Sequence, residues 1–446
     1  MRKLINRHFY RMKYYSTNKN TSEVSLKEAV IKGLAADKGL FMPEQINKFE
    51  PSFFDTIQNL SFQEIAFAVA EKFFGTDIPS EKLKEIVFDT LSFDCPVVKV
   101  TDSIFSLELF HGPTLAFKDV GARFMARLLN YFLGETGKQV NVLVATSGDT
   151  GSAVANGFLG VKGIHVYVLY PKNKVSKIQE SQFTTLGNNI TALEIDGTFD
   201  DCQRLVKSAF LDKELNEELL LTSANSINVA RFLPQAFYYF NAYARLKERG
   251  ILNNKELIIS VPSGNLGNIT AGLFAAEMGL PVKQFIAANN ANDVLFNYLQ
   301  TGKYNPKPSV ETIANAMDVG DPSNFVRILD LYHHSHNTIS EKIKGFKYSD
   351  SEIRKVVKQV YSETGYLCDP HGACGFEALN QTLAKNQVGL FLETAHPAKF
   401  TETVGEIVGA TNVPLPEKLA EFMKGKKISR ELNKDFSEFK RFLRTI

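Results

Sequence analysis

The chain has 446 residues, 44% of them hydrophobic and 22% charged, which excludes a disordered, collagenous or coiled-coil protein. That length leaves room for about three domains and a sizeable core. Lys and Arg total 51 against 49 Asp and Glu, a net charge of +2, without the basic excess of a nucleic-acid binder. Cys95, Cys202, Cys368 and Cys374 are too few and too scattered for a disulfide framework, and no run of about eighteen apolar residues offers a membrane span. A reducing compartment, the cytoplasm, is the expected location.

Residues 1–11 (MRKLINRHFYR) are basic, lack the apolar stretch of a secretory signal and read as a disordered tail or an upstream start before Met12. Residues 12–95 read as a mostly helical N-terminal domain. Ser25-Leu-Lys-Glu28 and Ser61-Phe-Gln-Glu64 both have the capping-box pattern ahead of apolar residues, with the loop Asp37–Pro43 between them. From about Val97 short β-branched runs alternate with amphipathic helices. Strands are predicted over 141–145, 164–170, 191–195, 257–261, 284–288 and 389–392, and a helix over 228–249 ending at Gly250. Such alternation points to βαβ units and parallel sheets. The segment from Pro416 onward is charged and helical in pattern and is expected on the outside.

Three polar loops follow predicted strands: Thr146-Ser-Gly-Asp-Thr-Gly151, Pro262-Ser-Gly-Asn-Leu-Gly-Asn268 and Glu393-Thr-Ala-His396. The carboxyl edge of an open α/β sheet is where ligands bind. Glycines ahead of a helix start let backbone N–H groups approach an anion. Neither the P-loop nor the dinucleotide spacing is present, and Gly134-Glu-Thr-Gly-Lys138 has the wrong spacing, so a phosphate on another group than ATP or NAD is expected. The segment Glu108-Leu-Phe-His-Gly-Pro-Thr-Leu-Ala-Phe-Lys-Asp119 leads into a stripe of Val120, Phe124 and Leu128, placing Lys118 near a helix start. The helix dipole and apolar neighbours there favour a neutral, reactive amine.

The string HGPTLAFKD resembles the cofactor-lysine motif of threonine synthases. The resemblance extends to YYSTN, GLFMP, TSGDTG, ANSINVARFLPQ, PSGNLGN, DPHG and ETAHPAKF, nearly the whole chain from Met12. One departure is Leu266, where phenylalanine is common in the family. The resemblance implies a fold type II pyridoxal 5'-phosphate enzyme: two open, mostly parallel sheets flanked by helices, plus the N-terminal domain. The larger unit is then expected over 96–135 and 240–446, and the smaller over 136–239. It implies that Lys118 carries the cofactor and shuttles protons, that Gly264, Asn265, Leu266, Gly267 and Asn268 wrap the cofactor phosphate, and that Thr394 faces the pyridine nitrogen. Ser147, Asp149 and Thr150 would hold the substrate carboxylate or the cofactor hydroxyl side, Asp149 being as well suited to capping a helix. Asn225, Ser226, Asn228 and Arg231 would hold a substrate phosphate.

The implied activity is conversion of O-phospho-L-homoserine and water to L-threonine and phosphate by a monomer, with no metal, nucleic acid or membrane partner. The competing readings are a serine or threonine dehydratase of the same cofactor fold, which needs no substrate phosphate site, and a catalytically silent phospho-amino-acid binder, which would be expected to lack Lys118. His333-His334-Ser-His336 has no companion cluster and reads as a solvated segment. Asp369-Pro370 reads as a helix cap, with His371 a candidate for the cleft.

Overall fold

A computed structural model describes residues 11–134 and 139–445; the tail before them, the 134–138 decoy in most of its length and the expected boundary at 135–136 lie outside the described residues. Both N-terminal capping patterns open helices, although the reciprocal bond of a full box forms at Ser61 and not at Ser25. Ser25 Oγ accepts from Glu28 N ahead of Leu26–Lys32, and Ser61 exchanges bonds with Glu64 at the start of Phe62–Phe74. The region is not purely helical, however. Lys13–Ser16 pairs antiparallel with Val24–Ser25 on one side and with Phe41–Pro43 on the other. The stretch 38–42 is therefore mostly core: Leu40, Phe41 and Met42 are buried and only Lys38 stands exposed.

A six-stranded sheet runs in the order Ile343–Lys347, Gln284–Asn289, Glu256–Pro262, Gln387–Glu393, Ile104–Glu108, Val97–Lys99, parallel except for the last edge strand. A five-stranded, wholly parallel sheet runs Arg430–Asn433, Ile190–Asp196, Ile164–Pro171, Val140–Ala145, Leu221–Ser223. The central strands are apolar on both faces, as expected where helices cover both sides of a parallel sheet. No helix among the described residues is long and apolar enough to cross a membrane.

Two expectations need correction. The single helix over 228–249 is Val229–Phe232 and Ala236–Glu248, joined by the 3₁₀ turn Leu233–Gln235, because Pro234 interrupts the α-helical ladder. The division that placed all of 240–446 in the larger unit fails at its end. Strand Arg430–Asn433 extends the smaller sheet, and Leu432, Phe439, Phe442 and Leu443 pack with Tyr167, Leu193 and Ile195. The apolar spacing of Phe436–Arg444 shows that this helix needs a partner face, but which sheet offers one is a tertiary matter.

Candidate active site

The carboxyl ends of both sheets converge on one cavity of about 970 Å³, its open mouth included. Its wall carries Lys118, Ser147, Thr150, Asn225, Ser226, Arg231, the loop Gly264–Asn268, His371 and Thr394. Lys118 opens helix Lys118–Gly134. Just before it, Phe117 N donates to Thr394 O at 2.9 Å and Ala116 bridges Ala395, so the lysine is tied in register to the loop after Gln387–Glu393. Burial leads in pulling the Lys118 amine down to about 8, aided by the charges of Lys399 and Arg231 and opposed by Asp149.

Leu266 precedes helix Gly267–Glu277 in a left-handed conformation (φ 61°), a strained state for a side chain of this size. The helix N-terminus so placed opens on the cavity. Gly264 cannot be larger, since a Cβ there would lie 2.8 Å from Met317 Cα. Asn268 Oδ1 accepts from Tyr238 and Tyr239 hydroxyls at 2.6 and 2.8 Å, which leaves its buried Nδ2 without a partner. Arg231 donates from Nη1 to Lys118 O at 3.1 Å while its buried Nε is also unpartnered. Burial lowers its proton affinity to about 10, so it is a cation at neutral pH, with Asp119 opposing the shift.

In the other polar loop Thr146 Oγ1 accepts from Gly148 N and Gly151 N at 2.9 and 2.8 Å, fixing the turn into helix Asp149–Phe158. Gly148 sits at φ 142°, and a Cβ there would lie 2.6 Å from the Gln179 side chain. Asp149 does not cap its helix. Its Oδ1 meets Lys399 Nζ at 2.6 Å and accepts from Gln179 Nε2 at 2.9 Å, all three residues being buried. Burial works to raise the Asp149 carboxyl, but Lys399 and then Lys118 outweigh it and hold it at about 2.

Asn228 is one of two predicted residues that do not line the wall. Its Nδ2 donates to Val30 O at 2.9 Å and its Oδ1 accepts from Ala230 N at 3.0 Å, capping Val229–Phe232. Asp149 likewise acts from behind the wall, through Lys399 and Gln179.

Sequence reasoning assigned nothing to Lys399, although it lies in the quoted string ETAHPAKF; a lysine among apolar neighbours just past a strand end was the available signal. Asp369 does cap Pro370–Asn380, and it does more. Its Oδ1 accepts from His371 Nδ1 at 2.6 Å and its Oδ2 from Ala395 N at 3.1 Å, while His371 Nε2 accepts from Ala316 N at 3.1 Å. Burial first, and the Asp369 charge second, push the carboxyl of Glu393, the residue before Thr394, well up.

The wall therefore offers a lysine of reduced basicity, a helix N-terminus, and two buried N–H groups, Asn268 Nδ2 and Arg231 Nε, with no acceptor among the described residues. Donors left without acceptors inside a protein are costly unless a ligand completes them. A phosphorylated aldehyde fits this set: the phosphate takes donors, the carbonyl takes the amine.

The geometry and the family comparison agree on a pyridoxal-phosphate-dependent enzyme, and residues 98–391 match the family so described. Residues 13–91 match the threonine synthase N terminus and residues 372–443 the threonine synthase C-terminal region. The chain is 44% identical to the threonine synthase of Serratia marcescens over 97% of its own length and 99% of that protein. The crystal structure of threonine synthase from Escherichia coli superposes with a TM-score of 0.91 at 42% identity, covering 97% of this chain and all of that one. The PLP-bound threonine synthase from Brucella melitensis gives 0.89 at 34% identity, over 97% of this chain and 99% of that one. The chain belongs to the threonine synthase family.

Proposed function

We propose that this protein converts O-phospho-L-homoserine and water to L-threonine and phosphate, the last step of threonine biosynthesis, as a monomer in the cytoplasm. The observation that carries this reading is the pairing, in one cavity, of a lysine of lowered basicity with a second cationic donor, Arg231, that the cofactor lysine itself does not need. The four buried, unpaired cysteines suit a reducing compartment.

When bound, pyridoxal phosphate supplies an electron sink that acidifies the carbons next to the substrate amine. The residues around it divide the remaining work. Gly264–Asn268 and the helix start behind them hold the cofactor phosphate. Thr394, a hydroxyl rather than a carboxylate, would partner the pyridine nitrogen and would leave it uncharged. Ser147 and Thr150, at the start of Asp149–Phe158, orient the substrate carboxylate. Lys118 Nζ takes the proton from the substrate α-carbon and returns protons along the chain as the γ-phosphate departs and water adds at the β-carbon. Arg231, with Asn225 and Ser226, receives the departing phosphate, whose growing negative charge those donors stabilise.

Purified protein is assayed for phosphate and threonine together, beside Lys118→Ala. Stoichiometric appearance of both, with the wild type alone, is the expected result. A yellow wild type that releases no phosphate from O-phosphohomoserine but deaminates serine or threonine would sink the substrate assignment and leave a dehydratase.

A further inference from the structure

Behind the wall that carries Ser226 lies Arg327, fully buried and, among the described residues, with no carboxylate beside it. Its Nε and Nη2 donate to Phe41 O at 3.4 and 3.2 Å, Nη2 also to Ile227 O at 2.6 Å, and Nη1 to Ser226 O at 2.8 Å and Asn324 Oδ1 at 2.6 Å. The guanidinium carbon also sits 3.9 Å from the centroid of the Phe232 ring. Every acceptor is neutral, so the charge is hydrogen-bonded without being cancelled.

The bond to Asn324 sets the direction of everything beyond it. An amide whose oxygen is engaged by a guanidinium must turn its NH₂ the other way. Asn324 Nδ2 accordingly donates to Ser226 Oγ at 2.8 Å and to Asn265 O at 2.9 Å. Asn265 is oriented by the same logic, its Oδ1 accepting from Ser323 N at 2.6 Å and its Nδ2 donating to Ser226 Oγ at 3.2 Å. The Ser226 hydroxyl thus accepts twice. One hydrogen remains to it, and among the described residues no protein acceptor takes that hydrogen. Ser226 lines the cavity.

We propose that Arg327 and Asn324 are positioning residues that make Ser226 an obligate hydrogen-bond donor to a phosphate oxygen in the cavity. The inference rests on the reading of that cavity as a site for phosphorylated ligands and names how it selects them. A phosphate dianion only accepts hydrogen bonds, whereas the free hydroxyl of an unphosphorylated amino alcohol must also donate one, and the Ser226 oxygen, which already accepts from Asn324 and Asn265, has no place for it. The chain of aligned donors from Arg327 polarises the last O–H toward an anion.

Asn324→Asp tests this in the holoenzyme. The substitution keeps the shape and gains an ion pair with Arg327, but it presents an oxygen where an N–H stood, and the Ser226 hydroxyl turns to it. The inhibition constant of inorganic phosphate is expected to rise, and kcat/KM for O-phosphohomoserine to fall, each by roughly tenfold or more. Ser226→Ala gives the same shift without touching the relay, and adding Asn324→Asp to it costs nothing more. If cofactor retention on dialysis falls while kcat/KM holds, the donor serves the cofactor phosphate and the assignment of Ser226 stands with that source. If Asn324→Asp does not fold, Ser226→Ala alone decides. Unchanged kcat/KM, phosphate inhibition and cofactor retention in Ser226→Ala overturn the proposal, as does an additive double variant. A wild type inactive on O-phosphohomoserine would overturn the substrate reading instead, and phosphate binding and cofactor retention would still test the relay.

Discussion

Two lysines lie against one carboxylate, and they are put to opposite uses. Lys399 is fully buried with its Nζ 2.6 Å from Asp149 and 2.9 Å from Thr114 O, an ion pair completed by a backbone acceptor. Lys118 feels the same Asp149 only at longer range, has the Phe117 ring 5.6 Å away, and is brought to about 8 by burial together with the charges of Lys399 and Arg231. Asp149 opposes that lowering, but at Lys118 its charge is countered by those of Lys399 and Arg231. Pairing geometry, rather than burial alone, separates the amine that holds structure from the amine that does chemistry.

The comparison is broken most severely at Lys118. Lys118→Ala is expected to lower threonine formation by roughly 10⁴-fold or more while the melting temperature stays near that of the wild type, read by coupled phosphate release and thermal unfolding. Lys399→Met attacks the other member. It strands Asp149 in the interior, which costs roughly 3–5 kcal/mol of stability by chemical denaturation. It also removes a cation whose charge lowers the Lys118 amine and leaves the opposing Asp149 charge less countered, so the midpoint of cofactor capture by the apoenzyme moves to higher pH. A stability loss without that movement would mean the two lysines are not coupled.

Removing both charges sharpens the point. Lys399→Met with Asp149→Asn is expected to recover most of the stability lost in the single variant, because no lone buried charge remains. The smallest effect is a pH slope. Lys118 holds its proton less tightly when folded (about 8) than when unfolded (about 10.5), so between those values the unfolded chain binds more protons. Apoenzyme stability therefore gains a contribution as pH rises through that window, and Lys118→Met removes it. Denaturant titrations at pH 8 and pH 10 compare the two.

Strands of the two sheets were readable because their apolar runs are long and bounded by turn residues; 257–261 and 284–288 fall inside Glu256–Pro262 and Gln284–Asn289. Leu221–Ser223 and Arg430–Asn433 were not, since three or four residues with mixed polarity carry no period of their own. In the site, Lys118, the Gly264–Asn268 loop and Thr394 were visible as motifs at strand ends. Asn228 was expected to hold phosphate because the family resemblance covers it together with Ser226, but its side chain is spent on Val30 O and on its own helix cap. Asn324 and Arg327 had no local signal that set them apart from other polar residues, and the signal at Lys399, a lysine among apolar neighbours past a strand end, does not by itself name its partner.

Local chemistry was therefore the sequence's to determine. The capping boxes, the glycine loop before a helix and a lysine at a helix start depend on neighbours a few residues away, and those neighbours are written in order. The tertiary structure decided which distant groups meet: Asp149 with Lys399, Arg327 with Phe41 and Ser226, and the last strand with the smaller sheet. Such meetings follow from strand order and domain packing, and they set which charges are cancelled and which donors remain open. Burial makes the difference between those two states large, so the reactivity of this cavity depends on contacts that no short stretch of the chain contains.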